Sequence, residues 1–480
     1  MKFSQQIETF INDFVQNLNE GSASIFAGAG LSQPAGFVNW SKLMEEIAKD
    51  LGLDVNMESD LVSIAQYHQN ENQNRDKLNR KIVQEFVEDT KETENHRIIS
   101  RLPISSIWTT NYDTLIETAF KNVKKIADVK YTNQQLLHTK PKRDVVIFKM
   151  HGDVNHPSEA ILTKEQYERY HISHQSFIDA LSGELITKTF LFLGFSFSDP
   201  NLDYVLSRLH YRFKENKRQH FCFVKKHRLD DSENPDKATF DYNTTKQNLI
   251  VNDLKRYGIK SLWIDDYNDI TEILKEIENR YKKRTIFISG SAEVFEPFTR
   301  NESLNFIHIL SKKIVENNFR IVNGFGWNVG SSVINGALDC IYSNPTKYSE
   351  DQLVLKPFPQ IASGGKDLKT LWEDYRQNII SQAGISIFLF GNKKDEHNNI
   401  VEANGVIREF EISHQKGNIC IPVPITGFAA KAIYDKILLD PKNFFTNPDE
   451  IIPILKELAN DNSTLNDKVS LILKLINKIK

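Results

Sequence analysis

Residues 23–32 read Ala23-Ser24-Ile25-Phe26-Ala27-Gly28-Ala29-Gly30-Leu31-Ser32. A short uncharged run that ends in alternating glycines is the pattern of a strand buried on both faces and leading into a tight turn, as in a parallel sheet covered by helices. Before it, Phe3, Ile7, Phe10, Ile11, Phe14, Val15 and Leu18 recur at helical spacing, and Gly21 breaks the stripe. Simple packing, an interface and a lid are all roles open to that helix. After it, residues 106–110, 144–150, 189–194, 220–224 and 260–264 repeat the short strand pattern with helical stretches between them. A second register opens at Thr285-Ile286-Phe287-Ile288 and closes on Ser289-Gly290-Ser291. It continues with a helix over 302–317 and a strand over 319–322 ending in Asn323-Gly324-Phe325-Gly326, then strands at 385–390 and 419–423. The expectation is an α/β chain of two parallel-sheet domains in tandem, residues 1–283 and 284–480. Lys282-Lys283-Arg284 reads as a solvated hinge at the join, and residues 356–365, with two prolines and two glycines, as a loop in the second domain. The stripe Leu465, Val469, Ile472, Leu473, Ile476 and Ile479 reads as a docked closing helix.

The chain has 480 residues, enough for two or three cores. Lys plus Arg is 60 against 63 Asp plus Glu, a net charge of −3, which argues against sequence-independent nucleic-acid binding. Cys222, Cys340 and Cys420 are scattered, so neither a disulfide framework nor a four-cysteine zinc module is expected, and a reducing cytoplasm is the natural compartment. The start, MKFSQQIETF, has no apolar leader region, and the most apolar run, residues 190–197, is about half a membrane span.

A glycine turn between strand and helix lets backbone N–H groups approach phosphates, which suits Gly28 and Gly30, with Ser32 as a hydroxyl donor. Trp108-Thr109-Thr110-Asn111-Tyr112-Asp113 and Lys149-Met150-His151-Gly152-Asp153 each close a strand, so their polar groups fall at the carboxyl edge where open α/β sheets bind ligands.

Gly28-Ala29-Gly30-Leu31-Ser32, Thr110-Asn111-Tyr112-Asp113 and His151-Gly152, in this order, resemble the sirtuin-like superfamily, and Gly194-Phe195-Ser196 looks like its ribose-contacting strand end. The resemblance implies a Rossmann-like NAD+-binding domain, with Asn111 and His151 in the catalytic pocket and Gly28, Ala29, Gly30, Ser32, Thr110, Asp113, Gly194 and Ser196 around the nucleotide. Two departures matter. The zinc module of sirtuin deacylases is missing, and their acidic-aromatic-arginine segment is replaced by Phe37-Val38-Asn39-Trp40. Cleavage of the nicotinamide–ribose bond with water as acceptor is therefore expected ahead of deacylation, with no metal. Asn111 would orient ribose or water. His151, with an ordinary pKa of about 6.5, would accept a proton. Asp113 is expected to tie down its own loop.

In the second half, Ser289-Gly290-Ser291 and Gly324-Phe325-Gly326 end adjacent strands, and Arg376, Lys393 and Glu409 supply two cations suited to pyrophosphate and a carboxylate suited to ribose hydroxyls. This half resembles the SLOG superfamily, relatives of lysine-decarboxylase-like nucleotide hydrolases. Their PGGxGTxxE segment is not present, Gly391-Asn392-Lys393-Lys394 stands after the strand instead, and only Glu409 looks like the terminal Glu, which favours ligand sensing over catalysis. A sirtuin-like domain followed by SLOG is similar to the Thoeris antiphage NADase effectors. That resemblance implies an NAD+ hydrolase activated by a cyclic ADP-ribose isomer at Arg376, Lys393 and Glu409, a Toll/interleukin-receptor (TIR) type partner enzyme that makes the signal, and a homotetramer, with no nucleic-acid or membrane partner. Two alternatives stay open: a constitutive NAD-dependent protein deacylase or ADP-ribosyltransferase, and a non-catalytic nucleotide-binding module.

Overall fold

The computed structural model describes residues 3–58, 60–86, 90–461 and 464–479; Met1, Lys2 and Lys480, the outer ends of the two expected domains and the start of the segment read for a leader, lie outside them. The chain divides into two compact units, residues 1–278 and 279–480.

The first unit is a seven-stranded sheet of β1 (Ala23–Ala27), β2 (Ser106–Thr109), β3 (Ala127–Lys130), β4 (Val145–Lys149), β5 (Thr189–Leu193), β6 (His220–Lys225) and β7 (Ile259–Ile264). Its order is β3-β4-β2-β1-β5-β6-β7, parallel at every pairing. β1 and β5 are buried at every residue, the mark of central strands covered on both faces. The helix Gln5–Asn19 starts at Ser4, whose side chain accepts from Ile7 N, and lays its apolar stripe on the sheet. Phe10 of that stripe stands 4.8 Å from Phe221 of β6, ring to ring. Burying each such side chain is worth roughly 1.5–3 kcal/mol, so six of them hold the helix as part of the core.

Strand order reverses beside β1: the chain steps to β2 on one side and later crosses to β5 on the other. Ligands in open α/β sheets sit outside the carboxyl ends of strands at such a switch point.

The second unit is built the same way from β8 (Thr285–Ser291), β9 (Arg320–Asn323), β10 (Leu353–Leu355), β11 (Ile385–Phe390) and β14 (Ile419–Pro422), ordered β10-β9-β8-β11-β14 and parallel. A small antiparallel hairpin, β12 (Asn392–Lys394) with β13 (Ile400–Glu402), follows β11. Its switch point lies between β8 and β11. The closing helix Leu465–Ile479 buries Leu465, Val469, Ile472, Leu475 and Ile476. β3, β10 and the hairpin have no counterpart in the sequence reading, because each strand has only three or four residues and none is buried along its whole length.

Among the described residues, no helix is long and apolar enough to cross a membrane, and no group of three or more His, Cys, Asp or Glu side chains could hold a metal ion. The three cysteines are buried and unpaired.

Candidate active site

A cavity of about 340 Å³ opens at the β1–β5 switch point. Two strand-end turns form its floor by direct backbone contact. Gly28 N donates to Leu193 O and Gly30 N to Gly194 O, both at 2.9 Å. A Cβ on Gly194, whose φ is +62°, would lie 2.2 Å from Leu31 N, so only glycine lets the turns close. Gly28, read from sequence as a phosphate contact, packs at this junction, where a Cβ would meet Gly194 O at 2.5 Å. Ala29, Gly30, Ser32, Thr110, Asn111, Asp113, His151, Gly194 and Ser196 all line the cavity.

Asn111 follows β2 and is held by three hydrogen bonds. Its backbone N donates to Thr109 Oγ1 at 3.0 Å, and its Nδ2 donates to Gly28 O and to Ser32 Oγ, each at 3.1 Å. Gly28 O can only accept, which fixes the amide orientation and leaves the carboxamide oxygen as the atom able to meet a ligand. Asp113 Oδ1 accepts from Leu115 N at 3.0 Å, a turn that starts the next helix.

Beneath this loop, Lys149 of β4 is fully buried. Its Nζ donates to Tyr112 O at 3.0 Å and Asp113 O at 2.6 Å, and pairs with Asp153 at 2.5 Å and Glu117 at 3.1 Å. Burial opposes its charge, but Glu117 and Asp153 prevail and hold the ammonium above its ordinary pKa. One cation thus ties the Asn111 loop to the strand end that carries His151.

His151, two residues past β4, is 4% exposed. Its Nε2 lies 3.2 Å from Asp199 Oδ2 and 3.5 Å from Asn201 Nδ2, and its Nδ1 lies 3.3 Å from the Tyr167 hydroxyl. Burial lowers its pKa, with Asp199 pulling the other way, so the ring is a neutral base near neutral pH. Asp199 is also the N-cap of the helix Pro200–Phe213, its Oδ1 accepting from Asn201 N and Leu202 N at 3.0 Å. Sequence reading assigned no role to Asp199 or Tyr167. Asp-Pro just after a strand-end Gly-Phe-Ser is a helix-start signal that could have located Asp199. Tyr167 sits 16 residues beyond His151 in a polar helix and had no signal. Much of the remaining wall is apolar, with Phe37, Val38, Trp40, Leu43 and Phe86, and Asn39 and Ser198 add polar groups to it.

In the second unit, Ser289 Oγ donates to Glu409 Oε2 at 2.5 Å, and Arg376 Nε stands 3.5 Å from Glu409 Oε1. Glu409 lies on the helix Asn404–Gln415 and Arg376 on Leu368–Ile380. Burial raises the Glu409 pKa, while Ser289 and Arg376 oppose it. The Arg376 guanidinium lies 5.1 Å over the Phe358 ring. Gly326 closes on the β8 turn so tightly that a Cβ would lie 1.9 Å from Gly290 O. Phe325 is 53% exposed, Ser291 Oγ donates to Asn392 O at 3.2 Å, and Lys393 stands exposed on β12. The structure thus joins Ser289, Arg376 and Glu409 directly and leaves Lys393 on the neighbouring hairpin.

A SIR2-like domain model matches residues 105–247, and a model described as the Sir2- and TIR-associating SLOG family matches residues 269–479. Over 480 residues, 99% of each chain, this sequence is 47% identical to the protein named NAD(+) hydrolase ThsA of Bacillus cereus (strain MSX-D12). It is 41% identical over 483 residues to the protein of that name from Acinetobacter baumannii (strain 532279), covering 99% of this chain and 98% of the relative. With the Enterococcus faecium protein of that name the identity is 40% over 480 residues, 98% of this chain and 99% of the relative.

Proposed function

This chain belongs to the ThsA family of NAD(+) hydrolases, and on that premise we propose that NAD+ is cleaved in the β1–β5 cavity and that the second unit gates the reaction by binding a cyclic ADP-ribose isomer. The chain is an NAD+ hydrolase, releasing nicotinamide and ADP-ribose. The observation that carries the choice of site is the convergence of Asn111 and His151, from separate strand ends, on one cavity of ligand-holding size.

NAD+ already bears a cationic leaving group, so its C–N bond needs an oriented ribose, a place for oxocarbenium character and a positioned water more than acid assistance. The Asn111 carboxamide oxygen, held in place through its own amide, orients a ribose hydroxyl or the water. His151 receives the proton the water loses. The apolar wall of Phe37, Trp40 and Phe86 limits bulk water around the reacting centre.

Gating is favoured by chemistry as well as by kinship. A constitutive NAD+ hydrolase would exhaust its own cell, and the second unit offers a buried Ser289–Glu409 pair with the partly exposed Arg376 beside it and Lys393 nearby, donors and acceptors suited to pyrophosphate and ribose. Moving a resting equilibrium of 1:99 to 99:1 takes about 5.5 kcal/mol of preference for the active state. A homotetramer supplies that cooperatively. In this reading the protein is the cytoplasmic effector of a Thoeris antiphage system, and a TIR-type enzyme makes the signal, a partnership supported by the description of the matching SLOG family as TIR-associating.

Nicotinamide release from NAD+ by the full chain, with and without a panel of cyclic ADP-ribose isomers, tests this. Turnover with one isomer and silence without any is the expected result, and Arg376→Ala should lose that response. Equal turnover in both conditions would remove the gating.

A further inference from the structure

Both ring nitrogens of His151 already have protein partners, and this constrains how a proton can reach it. An ionised carboxylate only accepts hydrogen bonds, so Asp199 Oδ2, 3.2 Å from Nε2, favours the hydrogen on Nε2 over the other tautomer, in which the more distant Asn201 Nδ2, at 3.5 Å, would donate to that nitrogen. The basic lone pair is then on Nδ1, and the atom facing it is the Tyr167 hydroxyl at 3.3 Å. Tyr167 also lines the cavity, on the helix Lys164–Ser173. We infer that Tyr167 is the group through which His151 acts, its hydroxyl passing the proton of the attacking water on to His151 Nδ1 while Asp199 fixes the tautomer.

The step balances. The C1′–N bond breaks and nicotinamide leaves with the electron pair. The water oxygen bonds to C1′ and gives a proton to the Tyr167 oxygen, which gives its own to Nδ1. The resulting imidazolium is stabilised by Asp199 and later loses its proton to solvent. Tyr167 never carries a net charge, which its environment requires: burial holds its phenol well above the ordinary pKa, with Tyr112 and Asp199 adding to the effect. The other groups packed around the imidazole are Asn201, Tyr170, whose hydroxyl is taken by Met150 O at 2.9 Å, and His174, stacked on Tyr170 at 4.5 Å. None of them offers a hydroxyl to Nδ1.

This rests on the placement of NAD+ cleavage in this cavity, and the test separates the two. Tyr167→Phe, Asp199→Asn and His151→Ala are compared in the full chain, with NAD+ and the cyclic nucleotide giving the highest wild-type rate. Asn keeps the helix cap that Asp199 provides. Tyr167→Phe should lower kcat roughly 10- to 100-fold with KM unchanged. The two conservative variants should also move the acid limb of the pH–rate profile in opposite directions. Losing a hydrogen bond to the neutral ring raises the affinity of His151 for a proton and shifts the limb to higher pH. Losing the Asp199 charge lowers that affinity and shifts it to lower pH. Wild-type kcat and limb in Tyr167→Phe, or a change in KM alone, beside an inactive His151→Ala would overturn the relay and leave the site standing. Full turnover by His151→Ala, or a wild-type chain silent with every ligand, would overturn both.

Discussion

The two sheets share a plan and use it differently. Each opens with a buried strand whose terminal glycine turn closes on the glycine of a neighbouring strand: Gly30 on Gly194 in the first unit, Gly290 on Gly326 in the second. In the first, the closed turns leave a cavity walled by aromatics and floored by Asn111, with a neutral histidine at its side. In the second, the Ser289 hydroxyl at the strand end donates to the Glu409 carboxylate, and the Arg376 guanidinium stands 3.5 Å from it with its Nε without a hydrogen-bond partner. A neutral base beside a cavity with aromatic walls suits proton transfer. A cluster of fixed charges that a ligand can re-partner suits recognition. The same backbone device therefore frames two chemistries, and what differs is the residues set on it.

The largest effect that would break this contrast is on turnover. His151→Ala and Asn111→Ala should each lower nicotinamide release by about 10²–10⁴-fold, with melting temperatures close to wild type, whereas Glu409→Gln should alter the response to ligand and leave NAD+ binding to the first unit intact by calorimetry. Loss of NAD+ binding in Glu409→Gln would mean that the division of labour is wrong.

The glycine junctions give a smaller effect, on stability. Gly194→Ala must adopt a left-handed backbone and meet Leu31 N at 2.2 Å, so it should destabilise by at least about 2 kcal/mol in denaturant unfolding. Gly326→Ala, meeting Gly290 O at 1.9 Å, should do the same for the second unit. Near-wild-type midpoints would show that the turns can part without cost.

Acid should sharpen the comparison more gently. Burial lowers the pKa of His96 to about 4 and of His220 to about 3, and lowers His151 and His174, all in the first unit. The unfolded chain then binds these protons first, so stability is full above pH of about 6.5 and declines as pH falls from there toward about 3. The histidines of the second unit, His308, His397 and His414, all keep solvent contact. Hydrogen exchange should accordingly show protection of β2 and β6 falling over this window ahead of β8 and β11, after correction for intrinsic rates. Equal loss in both units would remove histidine burial as the cause.

Much of this was legible in the chain. The strands ending at Ala27, Thr109, Lys149 and Leu193 announce themselves because central parallel strands are short and largely apolar, and the glycines stand directly after theirs, with Asn111 and His151 two residues past theirs. Edge strands such as Ala127–Lys130, which buries the paired charges Asp128 and Lys130 in place of an apolar run, leave no such trace. Tyr167 and Phe86 likewise look like ordinary helical residues.

Local chemistry thus determined which segments are strands, where the turns are tight and which polar residues arrive at a sheet edge, since these follow from periodicity and steric freedom within a few residues. Only tertiary structure decided that strand order reverses at β1, that Gly28 serves backbone packing, and that Asp199 and Tyr167 meet the two nitrogens of His151 from helices 48 and 16 residues further along the chain. Those contacts depend on how strands are ordered and helices cross the sheet, which no short stretch of sequence contains.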